Sequence, residues 1–164
     1  MPPPPPPTPD YAAAPVPPPR IAPAEPAEPL VRISAGATYR RLFSGTVAGF
    51  DLLLSIGTSI RADAVLTVGE TLSGRDVIGA RLGVSFVHSF GRFRLGAGLH
   101  AVYFNVQRVT TSNSTNMMAV GPFVLAQFDV AKWDGNSIFV GLRGGVDFVP
   151  NPYGGAQFEL GFGR

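Results

Sequence analysis

The sequence predicts an all-β fold: an eight-stranded antiparallel up-and-down barrel behind a proline-rich N-terminal arm. Three observations predict it. Apolar and polar residues alternate with a period of two in eight separate segments. Glycine recurs every few residues from Gly36 to Gly163, and no capped stripe of helical period competes with the alternation. Proline is segregated: 14 of the 17 prolines lie in residues 1–29, which leaves the following residues free to form ladders.

The arm, residues 1–29, has almost no large apolar side chains. It cannot bury enough surface to offset its ordering entropy and is expected to be disordered or polyproline-II-like. At ~3.1 Å per residue it would reach roughly 90 Å when extended. It reads as a linker, or as an arm that contacts the periplasm or the cell wall. Its formal charge is −2, from Arg20 against Asp10, Glu25 and Glu28.

The barrel is expected over residues 30–164. In segment 31–43, Val31, Ile33, Ala35, Ala37 and Tyr39 alternate with Arg32, Ser34, Gly36, Thr38 and Arg40. In 46–56, Ala48, Phe50, Leu52, Leu54 and Ile56 oppose Gly49, Asp51, Leu53 and Ser55. In 60–72, Ile60, Ala62, Ala64, Leu66 and Val68 oppose Arg61, Asp63, Val65, Thr67 and Gly69. Segment 77–90 is the cleanest: Ile78, Ala80, Leu82, Val84 and Phe86 against Gly79, Arg81, Gly83 and Ser85.

In 92–107, Phe93, Leu95, Ala97, Leu99, Ala101 and Tyr103 oppose Arg94, Gly96, Gly98 and His100. The parity blurs after Val102, which predicts a bulge or the strand's exit there. Segment 117–131 sets Met118, Val120, Val124, Ala126, Phe128 and Val130 against Gln127 and Asp129. Pro122 removes a ladder donor within it and predicts a bulge or weak spot. In 138–148, Ile138, Val140, Leu142, Val146 and Phe148 oppose Arg143, Gly145 and Asp147. The last segment sets Ala156, Phe158, Leu160 and Phe162 against Gln157, Glu159, Gly161 and Gly163.

Segments of this length suffice for tilted strands to cross a bilayer, which takes about 9–11 residues. An even strand number lets the sheet close without edges. Gly57-Thr58-Ser59, Ser89 to Arg92 and Asp134-Gly135-Asn136 are tight-turn material. The connections around Ser44 and Ser73-Gly74 are short too. Arg108 to Asn116 reads as the longest loop, and Pro150-Asn151-Pro152 marks another. With both termini periplasmic, those two loops face outside and the three tight turns face inside.

Alternation alone does not say which face looks inward. A soluble lipocalin-like barrel carrying an apolar ligand would have the apolar face inside. Three features favour the inverse. The mid-strand charges all share the polar parity: Arg32, Arg40, Arg61, Arg81, Arg94 and Arg143 with Asp51, Asp63, Asp129, Asp147 and Glu159. Six cations against five anions is the near-balance that a closed lumen needs, because an unpaired buried charge costs several kcal/mol. The cations are all arginine, whose planar fork suits buried carboxylate pairs. Glycine crowds the same face and leaves space for guanidinium groups. On the apolar face Tyr39, Phe43, Phe90, Phe93, Trp133, Phe148, Tyr153 and Phe162 lie near strand ends, where bilayer interfaces favour aromatic rings. The expected fold class is thus an eight-stranded antiparallel up-and-down transmembrane β-barrel with a disordered Pro-rich N-terminal arm. Its polar face, His100 included, forms a lumenal network.

Over residues 30–164 the chain resembles the small eight-stranded outer-membrane barrels of Gram-negative bacteria, the OmpA-like and OmpX-like group. Strand count, the dyad pattern and the terminal run Phe158-Glu159-Leu160-Gly161-Phe162 carry the resemblance. Phe158, Leu160 and Phe162 resemble the family's C-terminal assembly signal, with Gly163 and Arg164 following the aromatic. The resemblance implies export to the outer membrane, recognition by the barrel-assembly machinery and a filled interior. Residues at the start of the chain do not form an export signal, which would then have to precede Met1.

Charge and composition exclude several function classes. The barrel region carries twelve Lys plus Arg against eight acids, or +4, without a basic cluster, so nucleic acid is not an expected partner. There is no cysteine for a disulfide, thiolate chemistry or lipidation. No metal-ligand cluster, phosphate loop or nucleophile motif is present, and no cofactor is expected. A lipid-modifying enzyme using His88 or His100 is the catalytic alternative. Barrel deacylases place His and Ser two apart, whereas His88 and Ser89 are adjacent and point to opposite faces. The expected product is a monomeric, non-enzymatic barrel in contact with outer-membrane lipid. Its role would be structural, envelope-anchoring or one of surface contact.

Overall fold

In a bilayer every backbone N–H and C=O needs a protein partner, and strands provide them all only by closing on themselves. The computed structural model describes residues 1–3, 28–42, 45–108, 111–148 and 153–164. Its strands are β1 (Val31–Leu42), β2 (Gly45–Ile56), β3 (Ile60–Thr71), β4 (Arg75–Phe90), β5 (Phe93–Arg108), β6 (Thr111–Trp133), β7 (Asn136–Asp147) and β8 (Tyr153–Gly163). Each pairs antiparallel with its neighbour in sequence, and β8 closes on β1 from Arg32↔Gly163 to Arg40↔Gly155. The protein is an all-β, closed, eight-stranded barrel. The expected arm lies almost wholly outside the described residues.

The near mouth carries the start of β1 and the end of β8. Its hairpins are tight because their residues tolerate positive φ. Asp134 (φ 39°) and Gly135 (φ 78°) join β6 to β7, and Gly91 (φ 65°) opens the two-residue link between Phe90 and Phe93. Register follows from the period of two: a slip by one residue would send every charged side chain to the opposite face.

The far mouth departs from the sequence reading. Residues 108–116, expected as a loop, belong mostly to the β5–β6 hairpin. Asn105↔Asn116, Val106↔Thr115 and Gln107↔Ser114 remain paired, and the register shifts only between Gln107 and Arg108. Ladder bonds come from the backbone, so a Ser/Thr/Asn run can extend a hairpin where neither face needs to be apolar. The parity does not break after Val102 either. Val102, Phe104 and Val106 turn inward while Tyr103 faces out. What changes is the polarity of the lumen, where these three pack with Leu42, Val47 and Val77. The Pro150-Asn151-Pro152 connection lies outside the described residues.

Pro122 weakens a seam without bulging. Leu99↔Pro122 continues the β5–β6 register, whereas the β6–β7 ladder stops at Phe123↔Gly145. One bond resumes beyond it, Phe148 N–H to Val120 C=O at 3.0 Å. Groups two residues apart point to the same neighbour, so the donor that proline lacks is one β7 would have used. The bulge in β6 is at Asp129/Ala131 instead.

Candidate functional site

The two faces are sorted by polarity, and in the inverse sense to a soluble barrel. Phe50 is 75% exposed and Leu82 67%, and Leu52, Leu66, Ile78, Phe86, Leu99, Val124, Leu142, Phe158 and Leu160 also point outward. Tyr39, Phe90, Phe93, Trp133, Phe148 and Phe162 are on the same exposed face, with the Trp133 and Phe162 rings 6.2 Å apart. Phe43 and the Tyr153 side chain lie outside the described residues.

The interior holds Arg32, Arg40, Asp51, Arg61, Asp63, Arg81, Arg94, His100, Asp129, Arg143, Asp147 and Glu159, each buried. Two groups form. Near the termini, Arg94 grips Asp129 with both η nitrogens, Nη1 to Oδ1 at 2.6 Å. Arg32 lies 3.8 Å from the same carboxylate and 5.2 Å over the Phe139 ring. Arg61 donates to Gln127 Oε1 at 2.8 Å, Gln127 donates to Glu159 at 2.6 Å, and Ser34 donates to the other Glu159 oxygen at 3.2 Å.

The deeper group crosses the barrel in several directions. Arg143 on β7 donates to Asp63 on β3 at 2.9 Å, and Ser55 supplies a second donor at 2.5 Å. Arg40 on β1 donates to Asp147 on β7 at 2.6 Å, and His100 Nε2 meets the other Asp147 oxygen at 2.6 Å. Arg81 donates to Gln157 at 2.5 Å and lies 3.9 Å from Asp51, which accepts from Thr67 at 2.6 Å. Arg143 and Asp147 share a face but not a bond; each reaches across to a different strand.

Alternation named the charged members, but it did not single out what surrounds them. Phe104, Phe123 and Phe139 sit on the polar parity and are buried. Their rings lie 5.6, 4.6 and 5.2 Å from the guanidiniums of Arg40, Arg143 and Arg32, close enough for cation–π attraction. Phe123 also stacks on His100, centroids 5.4 Å apart. Gln127 links Arg61 to Glu159 and Gln157 accepts from Arg81, which residue type alone does not reveal. The signal was present: an apolar ring at an inward position beside an arginine.

Glycine makes room at defined points. A Cβ on Gly141 would fall 2.6 Å from Glu159 Oε1 and 3.0 Å from Gln127 Cγ, whereas one on Gly144 would meet nothing nearer than Gly155 O at 3.9 Å. Gly141→Val is therefore expected to cost about 1–3 kcal/mol by overpacking. Gly144→Ala should stay within about 0.5 kcal/mol of the parent. Urea unfolding in detergent micelles compares them.

The histidines do not share a site. His88 is exposed on the outer face against Phe90, ring centroids 4.5 Å apart, while His100 is inside. Among the described residues no group of three or more His, Cys, Asp or Glu could hold a metal ion.

No protein-family model matches the sequence, and no curated protein matches it. Solved structures do match. Neisserial surface protein A superposes with a TM-score of 0.58 at 14% identity, covering 80% of this chain and 93% of that one. The N-terminal β-barrel domain of Pseudomonas aeruginosa OprF gives 0.53 at 9% identity, covering 81% and 97%. At these identities the likeness is one of fold, that of the small eight-stranded outer-membrane barrels.

Proposed function

We propose that the chain is a non-enzymatic barrel of the bacterial outer membrane, with a lumen filled by its own side chains and both termini in the periplasm. One observation carries the reading: the exposed face is apolar around the whole circumference, and the mid-strand charges are inside. Water would penalise that arrangement on both faces, whereas a bilayer favours the outer one and the ion pairs accommodate the inner one.

The lumen supports a structural role over a transport role. Eight strands enclose an interior that side chains just fill, and here arginines tie opposite walls together below an apolar far end. The protein then acts as an anchor in the envelope or as a surface-contact element. Among the described residues the β5–β6 hairpin has the longest strands, and the arm would extend toward the cell wall. Lipid is the principal partner, a monomer suffices, and Phe158, Leu160 and Phe162 on β8 would be read by the assembly machinery.

Extraction tests the reading. The protein should require detergent, resist it when folded, and migrate differently on gels before and after boiling. A folded monomer in plain buffer would overturn it. Leu82→Arg, on the exposed face midway along β4, should cost about 2–4 kcal/mol in a bilayer. A soluble barrel would tolerate that change, so the size of the loss measures which solvent the face meets.

A further inference from the structure

We propose that the lumen binds one small monovalent anion, of the size of chloride, in a cavity that Arg81, Arg143 and Gln157 line with hydrogen-bond donors. The count of charges points to it first. Among the described residues six buried guanidiniums, those of Arg32, Arg40, Arg61, Arg81, Arg94 and Arg143, share the interior with five buried carboxylates, those of Asp51, Asp63, Asp129, Asp147 and Glu159. An uncompensated buried cation is costly, and one monovalent anion closes the difference.

Space for it lies in the deeper group. Arg40 on β1, Arg81 on β4, His100 on β5, Phe123 on β6, Arg143 on β7 and Gln157 on β8 line a cavity of about 10 Å³. That is room for one water-sized sphere or a single-atom ion; a phosphate or a ligand carboxylate is too large. Three guanidiniums line the cavity and no carboxylate does, because Asp147, Asp63 and Asp51 approach Arg40, Arg143 and Arg81 from elsewhere. Two glycines on the lining keep it open. A Cβ on Gly155 would come within 3.0 Å of Arg40 Nε, and one on Gly145 within 3.1 Å of His100 Cε1.

The polar atoms of the lining select the occupant. Among the described residues Arg81 Nε, Arg143 Nε, Gln157 Nε2 and His100 Nδ1 have no hydrogen-bond partner in the protein, and all four side chains are more than nine-tenths buried. Gln157 accepts from Arg81 through Oε1 at 2.5 Å, which leaves its amino group as the free end. His100 Nε2 is taken by Asp147 at 2.6 Å, and Nδ1 is a further donor when the ring is charged. Guanidinium and amide N–H groups only donate. A water meeting them finds few acceptors for its own protons, a cation is repelled, and a halide only accepts. The bound ion joins β4, β7 and β8 through donors that no protein group uses, so the stability of the barrel depends on the halide around it.

Refolding the full-length protein in detergent micelles, with chloride or gluconate as the anion at equal ionic strength, tests the site. Gluconate is too large for the cavity. Once chloride exceeds its dissociation constant, the unfolding equilibrium constant should fall about tenfold for each tenfold rise in chloride. Gly155→Ala sets a methyl into the space beside Arg40, and Gln157→Glu supplies a fixed carboxylate at the same donors. Both should lose the chloride dependence while gel migration still reports a folded barrel. A parent that does not distinguish the two salts would overturn the proposal, and so would a folded variant that responds to chloride as the parent does. Should Gly155→Ala not fold, Gln157→Glu decides. Crystals of the parent grown from bromide give a second readout: an anomalous peak is expected beside Arg81, Arg143 and Gln157, and an ordered water there without anomalous signal would sink the assignment. These readouts need only a folded barrel, so they stand apart from the membrane reading: a barrel folded in plain buffer would be compared in the same way.

Discussion

Replacing Asp129 by asparagine is expected to lower the unfolding free energy by about 3–5 kcal/mol. Asp129 is fully buried, and so is Arg94, which holds it through both η nitrogens. Arg32, also buried, lies 3.8 Å from the same carboxylate. Asparagine keeps the volume but removes the one carboxylate that, among the described residues, lies within 4 Å of these two guanidiniums. One of its atoms would also present N–H donors to Arg94, which has only donors to offer. The loss should show as a lower urea midpoint with an unchanged slope, since the surface exposed on unfolding is the same. Pairing Asp129→Leu with Arg94→Met should recover much of it, because removing both partners leaves less charge stranded than removing one. A midpoint shift near zero for Asp129→Asn would mean that water reaches Arg94.

The contrast between single and double replacement says what the lumenal charges do. If the double replacement recovers the loss, they contribute little net free energy over an apolar filling and act by fixing which strands face each other across the barrel. Arg143 meets Asp63, Arg40 meets Asp147 and Arg94 meets Asp129. A register slip by one residue would turn such a charge into the apolar face, at a cost of several kcal/mol in lipid.

The sequence reading reached the strand order and the inward side of each charge because both depend on one local variable, parity. It did not reach the pairing. Arg143 and Asp147 sit four apart on one strand and share a face, yet their partners come from β3, β1 and β5, which only barrel closure brings within reach. It missed the apolar far end of the lumen because Phe104 and Val106 were weighed as a break in alternation. Their parity was intact and only their polarity had changed. The 108–116 stretch failed for a related reason: its run of polar residues reads as a loop, though a backbone ladder does not require apolar side chains once the strand leaves the apolar band. Pro122 was legible as a weak point, since a missing donor is a property of the residue itself.

Arg143→Leu is expected to cost about 3–5 kcal/mol. Its guanidinium donates to Asp63 at 2.9 Å and lies 4.6 Å above the Phe123 ring. Leucine would still pack on the ring but would leave Asp63 with Ser55 as its remaining hydrogen-bond donor, at 2.5 Å. Arg143→Lys separates the contributions. It keeps the charge and loses the planar contact with Phe123, so an intermediate loss is expected. A double-mutant cycle with Asp63→Asn should give a coupling energy well above the value of about 1 kcal/mol or less typical of exposed pairs. If Arg143→Leu instead shifts stability by less than about 0.5 kcal/mol, the guanidinium is solvated. The interior then has to be a wet channel, and a transport role would replace the anchoring one.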